Sequence, residues 1–139
     1  MKIKTVIGIY LYIFMIICMI IPIYSYYSIF DDLIRSLIYV SVAGGIGATL
    51  YCIRGFYQNI ADGEFDSEKW VWWYIFRPLI GFVAGIFIYF ILGGLIGLNS
   101  VELTFTSGGI MAYCALAFLT GFSFTHFANK LETILKTIF

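Results

Sequence analysis

A chain of 139 residues that is 62% hydrophobic and 12% charged, with a mean hydropathy of +0.97, lies outside the range of water-soluble domains, which are nearer half apolar and a quarter charged. It reads as an integral membrane protein with too little chain outside the bilayer for a separate soluble catalytic domain. The 8 basic and 8 acidic side chains cancel, and no direct contact with nucleic acid is expected.

The apolar N-terminal run is longer than a signal-peptide core, and no small-residue cleavage site follows it. Ile16 and Ile17 stand before Cys18, where lipoprotein cleavage would want a small residue. The run therefore reads as an uncleaved first span over about 5–23, with Gly8 its only glycine and Pro22 near its outer end. The segment 24–32 follows as a first loop, its tyrosines marking a membrane–water interface. Asp31 and Asp32 suit the start of the next helix; the alternative is a ring of carboxylates at an oligomer's outer mouth.

A second span is expected over about 33–53, centred on SVAGGIGATL. Ser41 with Gly45 and Gly44 with Ala48 form small-xxx-small pairs, and Gly47 adds a third small face. The glycines lie inside an apolar 20-mer with no strand before them, which argues against a nucleotide loop.

The stretch 54–69 is the long polar one and reads as a cytoplasmic loop. Its Asp62, Glu64, Asp66 and Glu68 alternate as in half of a calcium loop, but Ser67 stands where an EF-hand needs Gly and Trp73 where it needs Glu. These four acids are better candidates for docking a soluble cytoplasmic protein. Trp70, Trp72, Trp73 and Tyr74 form an aromatic belt before a third span at about 75–98. Arg77 enters the apolar region, where it can snorkel to the interface or pair with phosphate headgroups. The alternative puts it at an inner vestibule. Pro78 suits a helix start.

The third span carries two GxxxG pairs, Gly81 with Gly85 and Gly93 with Gly97. At about 100° per residue the second pair sits roughly 120° around the axis from the first. The two pairs face different neighbours, and this helix reads as the hub of the bundle. An outer loop at 99–106 carries Glu102 as its one charge. A fourth span at about 107–127 presents Ala112, Ala115, Ala117 and Gly121, with Ala117 and Gly121 a small-xxx-small pair. Thr120, Ser123 and Thr125 bring hydroxyls toward its inner end, to bond preceding carbonyls or to line a polar path. His126 sits at the inner interface. The tail 129–139 is amphipathic and suits the membrane surface.

With the N-terminus inside, Lys2, Lys4, Arg54, Lys69, Arg77, Lys130 and Lys136 are cytoplasmic and Arg35 alone is outside. Both termini inside requires an even number of spans, in agreement with four. The fold class expected is an all-α membrane protein: one four-helix transmembrane domain over 1–139, multi-pass in a bacterial inner membrane, with a homo-oligomer expected in the lipid bilayer.

No charged residue lies near the centre of a span, which counts against proton-coupled transport. No triad or metal cluster is visible, and Cys18, Cys52 and Cys114 read as small apolar packing residues. The chain is not expected to be an enzyme or to hold a metal or cofactor.

Three stretches, SVAGGIGATLYCIRGF, WWYIFRPLIGFVAG and ALAFLTGFSFTHFANKL, resemble a group of small bacterial four-helix membrane proteins. That group has a Gly-rich second helix, an aromatic-Arg-Pro-x-x-Gly entry to the third, and an Ala-rich fourth ending Gly-Phe-Ser, often followed by Glu-Arg. Gly121-Phe122-Ser123 match, whereas Phe124-Thr125 stand in place of Glu-Arg. The resemblance implies an architecture and carries no activity. GGIGA and FSFTHF also have a likeness to the small fluoride channels, but in those the glycine motif opens the first helix and the order differs.

The function expected is an oligomeric membrane module that senses the envelope or docks a cytoplasmic partner, in a stress or phage-defence system by size and class alone. The alternative is an oligomeric ion channel or pore, its contacts made by the glycine faces.

Overall fold

A computed structural model describes residues 2–63, 67–95 and 107–138. Of these, 94% are helical and none is in a strand, so the class is all-α. The helices are α1 (Lys2–Tyr27), α2 (Asp32–Ala61), α3 (Ser67–Leu95), α4 (Ser107–Phe122) and α5 (Phe124–Ile138). The first three are long and apolar enough to cross a membrane, while α4, at 16 residues, is a shorter apolar helix.

Several helix ends lie beyond the expected spans. Helix α1 continues through Pro22 to Tyr27, so the interfacial tyrosines ride on its last turns and the first loop is shorter. Asp31 precedes α2 without a side-chain capping bond. The link is tied instead by Arg35, whose Nη2 donates to the carbonyls of Ser28 and Phe30 (both 3.3 Å) while Nη1 faces Asp32 at 3.4 Å. At the other end α2 runs on to Ala61, and α3 begins at Ser67. Much of the expected 54–69 loop is therefore a helical hairpin. Asp62 closes α2 with its N–H on the Gln58 carbonyl at 2.9 Å, and Gly63 takes φ 72°, the left-handed turn that only glycine adopts freely. Pro78 accordingly lies inside α3 and not at its start. Ser123 interrupts the expected fourth span, so Thr125 belongs to the amphipathic α5.

Helix α2 is the centre, packing extensively on both α3 and α4, with α1 laid mainly against α2. Small residues set how close the backbones come. A side-chain carbon at Gly44 would run into the Gly81 carbonyl oxygen and sit 3.1 Å from Gly85 Cα. One at Gly85 would stand 2.6 Å from the Val40 oxygen, and one at Gly47 would overlap the Phe118 oxygen. Contacts this close let dispersion hold helices together where water expulsion cannot. The hub is thus α2, where the sequence had pointed to α3. Gly93 faces open space within the protomer, and Gly97 lies outside the described residues.

Two apolar clusters flank this node. Ile7, Leu11, Cys52 and Tyr74 pack at the hairpin end, and Val40, Ile88, Tyr113 and Ala117 at the other. Outside them, Ile13, Ile20, Phe87, Phe90, Met111 and Leu119 are exposed. An apolar surface of this extent matches lipid and not water.

Candidate functional site

Arg77 points into the bundle. It is 6% exposed, where snorkelling or a vestibule position would have left it open. Three aromatic rings surround its guanidinium: Phe124 at 5.1 Å, Tyr51 at 5.3 Å and Trp73 at 5.8 Å from Cζ to ring centroid. All lie within the roughly 6 Å over which a ring quadrupole attracts a cation. Three elements build the cage. Tyr51 comes from α2, Phe124 opens α5, and Trp73 lies four residues before Arg77 on the same face of α3. The ring of Tyr51 also packs edge-on against Phe122 at 5.7 Å, which ties the end of α4 to the cage.

The rings supply attraction without hydrogen-bond acceptors of the usual strength. Nε and Nη2 of Arg77 are sealed from solvent and have no partner among the described residues. No described carboxylate forms an ion pair with it. A desolvated guanidinium left with unmade hydrogen bonds is costly.

Beside the cage, between α2 and α3, lies a cavity of about 410 Å³ lined by Tyr51, Arg54, Gly55, Gln58, Asn59, Trp70, Trp73 and Tyr74. Tyr51 and Trp73 belong to both cage and cavity. Asn59 Nδ2 donates to the Tyr74 hydroxyl at 2.9 Å, fixing one wall. Tyr10 of α1 donates to the Ile75 carbonyl at 3.2 Å, bracing α3 from the opposite side.

Within one protomer the three hydroxyls of the expected fourth span are not gathered on one path. Thr120 is buried and donates to the Leu116 carbonyl at 2.8 Å, within its own helix. Ser123 is at the turn, where its N–H reaches the Leu119 carbonyl at 2.9 Å. Thr125 is exposed on α5. Six of the expected glycine positions fall on helix contacts inside one protomer: Gly44 and Gly81 against each other, Gly45 against Phe82, Gly47 against Phe118, Gly85 against Val40 and Ser41, and Gly121 against Gly44; Gly93 meets nothing within the protomer. Ala117 is buried with Val40 and Tyr113. Of the proposed docking acids, Asp62 is exposed at the hairpin tip. Glu64 and Asp66 lie outside the described residues, and Glu68 is on the first turn of α3.

The sequence marked Arg77 and the tryptophans. Tyr51 and Phe124 carried no signal of their own, since they reach Arg77 only through the packing of α2 and α5. Among the described residues, no group of His, Cys, Asp and Glu side chains is placed to hold a metal ion. No protein-family model, curated protein or solved structure matches the chain.

Proposed function

We propose that this protein is a closed membrane module whose working end is the α2–α3 hairpin, and not a pore. The observation that carries the proposal is the glycine node: Gly44, Gly45, Gly47, Gly81, Gly85 and Gly121 are spent on contacts between α2, α3 and α4 within a protomer. They are not left over to build the wall of an oligomeric channel. The hydroxyl of Thr120, bonded within its own helix, supports the same reading.

In this proposal the hairpin faces the cytoplasm, as the placement of lysine and arginine favours. The chain sits in a bacterial inner membrane with four spans. Helix α4, about 24 Å long at 1.5 Å per residue, crosses as a short span, a mismatch that bilayers absorb by thinning. Helix α5 lies along the inner surface, its charged Lys130, Glu132 and Lys136 side exposed. Self-association uses the glycine surface still open near Gly93 and Gly94. The exposed Asp62 and its acidic neighbours in sequence form the contact for a cytoplasmic partner.

Ion flux tests the central claim. Protein reconstituted in liposomes is expected to pass no more current than protein-free vesicles. A current that scales with protein and survives in the Asp62→Lys variant overturns the closed-module reading.

A further inference from the structure

From the placement of charge on α5 and its tie to the bundle, we propose that α5 is a docking surface for anionic phospholipid, with Lys130 the residue that meets the headgroup phosphate. The inference deepens the reading that α5 lies along the inner membrane surface, and rests on it. A surface helix indifferent to headgroup charge and the lack of any surface helix give different results in the experiment below.

The sequence of α5 places Phe124, Phe127, Leu131, Ile134, Leu135 and Ile138 at three- and four-residue intervals, which puts these positions on one side of a helix. Phe124 fixes which way that side turns. Its ring reaches back over Arg77, 5.1 Å from Cζ, so this side of α5 is directed at the end of the bundle. The backbone of α5 packs chiefly on α4, to which it is joined. Further along the same side Ile134 is 52% exposed, so the protomer itself does not cover it. The surface that leads up to α5 is apolar as well, since Leu116 and Leu119 of α4 are exposed. The apolar side of α5 therefore continues the lipid-matched belt at the level where α4 ends.

Charge selects the lipid. The charged side chains of α5 are Lys130, Glu132 and Lys136, all exposed. At about 100° per residue, Lys130 stands roughly 90° from the centre of the apolar side and Lys136 roughly 150° from it. Glu132 lies on the flank opposite Lys130, and the Lys136 ammonium is 2.6 Å from its carboxylate. That pair offsets itself within the helix. Lys130 is left at the edge of the apolar side. From there a lysine lays its carbon stem on hydrocarbon and lifts its ammonium to the phosphate layer. A surface of no net charge gives that ammonium little, whereas anionic headgroups attract it.

The test uses full-length protein in nanodiscs of phosphatidylcholine, with or without phosphatidylglycerol, and reads amide exchange over 127–138. Phosphatidylglycerol is expected to raise protection there roughly five-fold, the weight of one lysine near an anionic surface, while α1–α4 stay unchanged. Lys130→Gln should lose the gain and Lys130→Arg keep it. The double variant Glu132→Gln with Lys136→Gln leaves the net charge as it is and should also keep the gain. All three side chains are exposed, so these substitutions spare the bundle. Equal protection in the two kinds of disc overturns the headgroup assignment and leaves a surface helix indifferent to charge. Absence of protection in both overturns the surface reading as well. A gain that survives in Lys130→Gln, or is lost in the double variant, overturns the role of Lys130. Protection found only in discs that hold two protomers gives the apolar side to a second copy of the chain and overturns the proposal.

Discussion

The carbonyl oxygen of Gly44 occupies the place that a side chain at Gly121 would need. The obstacle is backbone, which cannot rotate aside as a side chain does. Gly121→Ala is therefore expected to push α4 from α2 and destabilise the bundle by about 1–3 kcal/mol, the usual cost of overpacking. Gly93→Ala, with nothing near its added carbon, is expected to leave stability within about 0.5 kcal/mol. Unfolding in mixed micelles compares the two; equal losses would remove the node from the account. Gly93→Leu extends the comparison, since it should leave the protomer folded while lowering self-association in crosslinking.

The Asn59–Tyr74 bond ties α2 to α3 at the hairpin end of the bundle. Asn59→Ala removes one hydrogen bond and should cost about 1 kcal/mol. The local consequence is more specific. Amide exchange should accelerate over 56–62 and the first turns of α3, with the node residues unchanged. Uniform acceleration along α2 would mean that the hairpin is not an independent unit.

Ser41 and Thr120 differ in what their hydroxyls hold. Ser41 Oγ donates across to the Phe82 carbonyl of α3 at 3.2 Å, whereas Thr120 Oγ1 stays within α4. Ser41→Ala should weaken the α2–α3 contact by about 0.6 kcal/mol, the mean value for such bonds between membrane helices. Thr120→Val keeps the shape and removes a bond internal to one helix. It is expected to cost less, and to leave ion flux at the protein-free level. A flux that rises or falls with Thr120→Val would restore a polar path along α4.

These differences trace what was legible in the sequence. Gly44, Gly81 and Gly85 stood out because small residues at four-residue spacing have few other uses in an apolar helix. The helix ends did not, because hydropathy falls at Arg54, the first charge after the apolar run, while the helix continues to Ala61. Arg77 was visible as a charge, but snorkelling and burial suit the same position. Only the inward approach of Tyr51 and Phe124 decides between them. Ser123, read as part of a continuing span, marks a break that hydroxyl chemistry alone does not announce.

Phe124 is the one cage ring that comes from α5, so it couples the amphipathic helix to the buried cation. Its ring lies 5.1 Å from Arg77 Cζ, and a desolvated cation–ring contact is worth on the order of 2 kcal/mol. Phe124→Ala removes that contact and should release α5 from the end of the bundle while sparing α1–α4. Limited proteolysis at Lys130 and Lys136, both exposed, reports it as faster cleavage. Phe124→Trp keeps a ring with a stronger quadrupole and is expected to cleave as slowly as wild type. Should the alanine variant show no change in cleavage while its helicity is intact, α5 would be held by the membrane surface and its own amphipathic face, and the cage would be closed by Tyr51 and Trp73 alone.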